Sequence, residues 1–333
     1  MTALLRLIES GLSIQQGETL ALIGAAADLP RALAGLAPLD RHVAAFGIID
    51  LVRVPAASRG FAYVGAADGL VARKTVAANV AAAVDEVLEL VGLIGSNDRL
   101  VRDLSRGDRQ RVALARALAA GPRLLILDDP LGELSPPAQS LFRRLVLKLR
   151  AARPDLAILL VSERREDLLM LADRIAVLHR GAVEQVGSPR VLYERPNSDR
   201  VAAALGDINL LAGRVVSFDG EVAAVALDAN GAEVEAIAPA GCGVGMQGLV
   251  AIRPERVAIA SNLVADASDR ALVAEFVDSV FLGDSVLLRF ALVDGTMVMV
   301  KRPSAAPLGP ARRVGLAWPP GFARFMVPGL EWE

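Results

Sequence analysis

The chain of 333 residues has one cysteine, two histidines and three lysines, and aromatic residues make up only 4% of it. A single thiol, Cys242, excludes an intrachain disulfide framework and any multi-cysteine metal site. It sits between glycines without a base-and-acid pattern, which argues against a catalytic thiol. His42 and His179 lie far apart, which argues against a metal site built mainly on imidazole, while carboxylates remain able to bind Mg²⁺. No uninterrupted apolar stretch reaches the ~18–20 residues that a membrane helix needs. Neither sign of charge predominates: 36 basic against 38 acidic residues give a formal net charge of -2, which argues against a general nucleic-acid surface. Met1 to Glu9 mixes acid and base without a long apolar run, so no signal peptide is expected and the expected compartment is the cytoplasm.

What is present is apolar material, 53% of the residues, in short runs. That is enough for a real core, and the length suits about two domains of roughly 150 residues. Residues 18–24, ETLALIG, read as a buried strand closed by glycine, and Pro30 with 31–36 as the start of a helix. Phe61–Val64 reads as a second strand. Over 76–93, Val80, Val84, Val87, Leu88 and Val91 recur at three or four with acids between them, which predicts a helix. Residues 109–119, RQRVALARALA, predict another, with its arginines as a solvated face. Residues 124–127 and 157–161 are continuous apolar runs of the kind buried on both faces of a parallel sheet. Helices are predicted at 137–151 and 165–173, and a strand at 174–178. Strand and helix in alternation predict an α/β fold with a mostly parallel sheet.

The pattern changes after Pro196. Residues 214–218, 222–227, 248–252, 273–281, 285–290 and 297–300 read as short strands, with hairpin signals at Asp219-Gly220, Asn230-Gly231 and Asp294-Gly295. They predict a β-rich second domain, a small barrel. The expected domains are 1–200 and 207–325.

Several segments occur in a known order. Residues 103–119 read DLSRGDRQRVALARALA, 122–135 read PRLLILDDPLGELS, and 161–193 read VSERREDLLMLADRIAVLHRGAVEQVGSPRVLY. Together they resemble the ATP-binding subunit of an ABC importer. GDINLLAGRV at 206–215, AIRPERV at 251–257 and VFLGDSV at 280–286 resemble the C-terminal regulatory β domain of the subfamily serving polyamines, iron, sulfate, thiamine and sugars. The resemblance implies a P-loop NTPase-like ABC ATPase domain, here with a trimmed helical subdomain, followed by an OB-like β-barrel regulatory domain.

Its ATP-site motifs are degenerate against the family pattern. The family's phosphate loop carries a second glycine, a lysine and a hydroxyl residue, whose amides, ammonium and hydroxyl hold phosphates and Mg²⁺. Here Gly24 is followed by Ala25-Ala26-Ala27-Asp28-Leu29-Pro30, and none of Lys74, Lys148 and Lys301 lies there. Gly65 stands for the sensing glutamine. Asp128 keeps the position of the Mg²⁺ aspartate, Asp129 replaces the catalytic glutamate, and Glu163 replaces the switch histidine. The signature Leu-Ser-Gly-Gly-Gln reads Leu104-Ser105-Arg106-Gly107-Asp108, and Gly132-Glu133-Leu134-Ser135 replaces the Ser-Ala-Leu-Asp segment.

The resemblance therefore implies a degenerate subunit without ATPase activity of its own, cytoplasmic at the inner face of the membrane. It would pair with an intact ATPase subunit on permease subunits. Ser105, Arg106 and Gly107 would serve a partner's ATP and Mg²⁺, and the isolated chain would hold no cofactor. The bland readings stay open: Ser105 as a helix cap, Asp128 and Asp129 as strand-end carboxylates. So does an alternative function, a non-catalytic regulator sensing a small ligand through the β domain.

Overall fold

The computed structural model describes residues 4–7, 11–24, 28–39, 43–45, 49–67, 69–260, 272–304 and 313–327. Ala25 to Ala27 and His42, considered above, lie outside them. The chain divides into two compact units, 1–190 and 191–333.

The first unit is built on a six-stranded sheet in the order Ala182–Gly187, Arg174–His179, Thr19–Ile23, Ala157–Val161, Leu124–Asp128 and Phe61–Gly65. All neighbouring pairs are parallel except the hairpin at the edge. The central runs TLALI, LLILD and AILLV are buried almost throughout, because each faces covering structure on both sides. A second small sheet runs Ser13–Ile14, Leu5–Leu7, Val43–Ala45 and Ile49–Asp50. The helix Arg106–Ala119 packs on the strand Phe61–Gly65 and on the helices Val76–Val80, Val84–Leu90 and Pro136–Ala152.

Three expectations change here. The helix read over 76–93 is two helices, Val76–Val80 and Val84–Leu90, with positive φ at Ala81 (72°) and Ala83 (43°) between them. The amide of Ala81 still donates to Ala77, and the helical path stops there before the second helix begins. The helix read from 31 begins earlier, at Asp28–Leu33, with Pro30 in its first turn, where a missing N–H costs nothing. The arginines of 109–119 are not merely a solvated face. Arg111 donates to the carbonyls of Val91 and Gly92, and Arg116 to that of Gly69, so the helix ties down the segments packed on it.

The second unit contains a closed barrel of Asn209–Phe218, Val222–Leu227, Glu233–Ile237, Ala323–Met326 and Gln247–Ile252, so its small barrel is present. A five-stranded sheet accompanies it: Ala258–Ala260, Arg313–Ala317, Leu272–Phe281, Ser285–Ala291 and Met297–Pro303. The inner faces share one core, including Leu211, Val225, Val250, Leu288, Val300 and Phe325. Residues 191–208 belong to this unit because Arg253, 5% exposed, fastens them. Its guanidinium donates to the carbonyls of Tyr193, Ala202, Gly206 and Asp207 and lies over the Tyr193 ring, 4.0 Å from the centroid.

Candidate nucleotide-binding site

Four strand ends of the first unit line up along one edge of its sheet. Gly65 is in register with Asp128, Asp128 with Val161, and Val161 with Leu22, two residues before Gly24. In an open parallel sheet, ligands bind beyond these carboxyl ends. Gly24, Asp128, Asp129 and Glu163 are thereby brought to one place from segments far apart in sequence.

Gly24 leaves its strand with φ +85°, and a Cβ there would collide with the Leu178 carbonyl oxygen, so only glycine fits. Its amide donates to Glu163 Oε1 at 3.2 Å. Asp128 Oδ2 accepts the Tyr63 hydroxyl at 2.7 Å. Burial, then that hydrogen bond and the Asp128 charge, push the Tyr63 phenol well above its usual pKa. The ring fits because residue 65 has no side chain: a Cβ on Gly65 would stand 2.7 Å from the Tyr63 hydroxyl. The Gly65 carbonyl is held by the buried side-chain amide of Gln110 at 2.8 Å, which anchors the strand end to the helix Arg106–Ala119.

Asp129 adopts φ 43°, a left-handed conformation that carbonyl-bearing side chains tolerate best. Its amide donates to Val161, and its Oδ1 accepts from Arg164 Nη1 at 2.9 Å. Arg164 Nη2 reaches the Gly132 carbonyl at 3.0 Å, and a Cβ on Gly132 would meet the Asp129 carboxylate. The 162–164 turn is braced from below. Ser162 Oγ accepts from the Arg164 amide and donates to Asp167 Oδ2, and Asp167, fully buried, pairs with Arg143 at 2.6 Å.

The signature residues occupy the start of the 14-residue helix Arg106–Ala119. Ser105 is its N-cap, accepting from the Asp108 amide at 3.1 Å. Arg106 pairs with Glu133, which lies in the Gly132-Glu133-Leu134-Ser135 segment, and Asp108 pairs with Arg111. Gly107 lies against the helix Pro136–Ala152, where an added Cβ would stand 3.1 Å from Ala138 Cβ. Among the described residues no group of three or more His, Cys, Asp or Glu side chains is placed to hold a metal ion.

Tyr63, Gln110, Ser162, Arg164 and Asp167 escaped the reading of the sequence. Arg164 had the clearest signal, as a cation next to Glu163 at a strand end. Tyr63, one of two tyrosines in the chain, had only its alternation toward Gly65.

This is the fold of an ABC ATPase domain followed by a C-terminal β domain. Residues 7–132 match the ABC transporter family, and residues 250–326 the TOBE domain. The spermidine/putrescine import ATP-binding protein PotA of Rubrobacter xylanophilus is 38% identical over 242 residues, 71% of this chain and 62% of that protein. The sulfate/thiosulfate import ATP-binding protein CysA of Xylella fastidiosa is 39% identical over 238 residues, 65% of this chain and 68% of that protein. A solved structure, cbiO1 of Clostridium perfringens, part of the ABC transporter complex cbiONQ, shares the fold at a TM-score of 0.51 and 20% identity, over 58% of this chain and 91% of its own. The chain belongs to the ABC transporter family and carries a TOBE domain at its C-terminal side. It spans 62% and 61% of the length of the Rubrobacter and Pseudomonas aeruginosa polyamine relatives.

Proposed function

We propose that this chain is a non-hydrolysing subunit of an ABC importer. It pairs with an intact ATPase subunit on a membrane permease and supports ATP-driven uptake from the cytoplasmic face. The observation that carries the reading is the Glu163 carboxylate on the Gly24 amide, where the family pattern expects a phosphate loop. A phosphate approaching that amide would meet a negative charge already in place, with no loop lysine to offset it. The helix that follows, Asp28–Leu33, has six residues and opens with an acid, so it offers little to a phosphate. Asp128 and Asp129 are each engaged by a protein donor, so the donor set does not fit Mg-ATP. The absence of a membrane-spanning helix among the described residues agrees with attachment through a permease.

In this reading the chain's contribution to ATP chemistry is made across the dimer, through Ser105, Arg106 and Gly107 at the start of a helix whose amides and dipole face an anion. Two measurements test it. Purified chain with Mg-ATP turns over no ATP. In vesicles holding the chain, an intact ATPase and the permease, Ser105→Arg lowers the ATPase rate at least tenfold. Turnover by the isolated chain that is lost on Asp129→Ala refutes the first half. An unchanged rate in the Ser105→Arg complex refutes the second.

A further inference from the structure

The internal partners at the strand ends follow a rule of charge. Where the ABC pattern places an anion, at the amide following the strand Thr19–Ile23, this chain supplies an anion, Glu163. Where the pattern places a cation, at the carboxylates ending the strand Leu124–Asp128, it supplies a cation, Arg164, on Asp129 and a hydroxyl donor, Tyr63, on Asp128. The anion and cation are adjacent residues on one turn. That turn is fixed by Ser162 and by the buried Asp167–Arg143 pair beneath it. Two glycines make room: Gly65 admits the phenol and Gly132 admits the Asp129 carboxylate. Four separate segments thus contribute to one arrangement, in which each of the three carboxylates accepts a hydrogen bond from a protein donor.

We propose that the Glu163-Arg164 pair, with Tyr63, is a built-in surrogate for a metal–phosphate group, holding the strand-end cleft ordered and closed to nucleotide. This rests on the non-hydrolysing reading and adds a cause: the cleft is filled, and not merely stripped of its binding residues. A stripped cleft leaves Asp128 and Asp129 ready for a cation. A filled one releases them only when its internal partner is removed.

The experiment is thermal unfolding of the full chain, wild type and Arg164→Gln, with and without about 5 mM Mn²⁺. A filled cleft predicts a wild-type midpoint that does not move with Mn²⁺. Arg164→Gln leaves the Asp129 carboxylate without its cation, lowers the midpoint by about 2–4 °C, and Mn²⁺ recovers at least half of that loss. Mn²⁺ raising the wild-type midpoint as much as the variant's, or failing to raise the variant's, overturns the surrogate. Should Arg164→Gln not fold, Tyr63→Phe is read in the same way, since it removes the donor to Asp128 and keeps the ring. The two proposals fail separately. ATP turnover by the wild type defeats the non-hydrolysing reading, whereas an inactive chain with equal Mn²⁺ responses defeats the surrogate alone.

Discussion

Asp167 shows how a buried charge steers a site it does not enter. It is fully buried, its partner Arg143 is nearly so, and its second oxygen accepts the Ser162 hydroxyl that fixes the 162–164 turn. Removing one member of such a pair leaves the other desolvated without compensation, a cost of about 3–5 kcal/mol, whereas replacing both with apolar residues is often close to neutral. Asp167→Ala is therefore expected to lower unfolding stability by about 3–5 kcal/mol in urea titration. The double variant Asp167→Leu with Arg143→Met is expected to lose less than half as much. Equal losses would mean that the pair acts through packing alone. At this scale the sequence was partly legible. Asp128, Asp129, Glu163 and Gly24 could be placed because a motif order names their positions. Their partners could not, because Tyr63 is 65 residues from Asp128 and Arg164 is 35 from Asp129, and only the sheet register brings them together.

Among the elements, the parallel strands were the easiest to read, since a strand covered on both faces must be apolar throughout. The break at 81–83 was not legible. It lies in a run of alanines with no glycine or proline to mark it, and alanine is itself the best helix former. In the second unit, Glu233–Ile237, Ala258–Ala260, Arg313–Ala317 and Ala323–Met326 went unread, although the first alternates buried and exposed as a barrel strand should. Two of the three hairpins that were read rest on their turn aspartates. Asp219 accepts from the Val222 and Glu221 amides, and Asp294 from the Thr296 amide and hydroxyl. These donors favour the charged form and hold both carboxyls below their ordinary value of 3.8. A lowered folded pKa means that the stabilisation is complete above the unfolded value and is lost as pH falls through the folded one. The thermal midpoint of the chain is accordingly expected to fall on acidification below about pH 4. Asp294→Asn and Asp219→Asn together should flatten that fall while leaving the hairpins formed. An unchanged slope in the double variant would assign the acid sensitivity to other carboxylates.

For the whole molecule, the consequence of one altered cleft is a count. In the proposed complex, each composite nucleotide site needs a phosphate loop from one subunit and a signature helix from the other. This chain carries a capped signature helix, with Ser105 and Gly107 in place. It also carries a Gly24 amide already taken by Glu163. Paired with an intact subunit it completes one site and cannot supply the loop of the second. Equilibrium dialysis of labelled ATP, with a hydrolysis-blocked intact partner, is expected to give one nucleotide per complex. Because a lone site has no second site to couple with, the binding curve should be hyperbolic. Two nucleotides per complex would mean that the cleft of this chain binds ATP despite Glu163, and the non-hydrolysing reading would lose its physical basis. None would mean that the Arg106–Glu133 pair and Asp108, held by Arg111, have disabled the signature face as well. In that case the support for a partner's hydrolysis would have to be abandoned, leaving the chain only a structural part in the assembly.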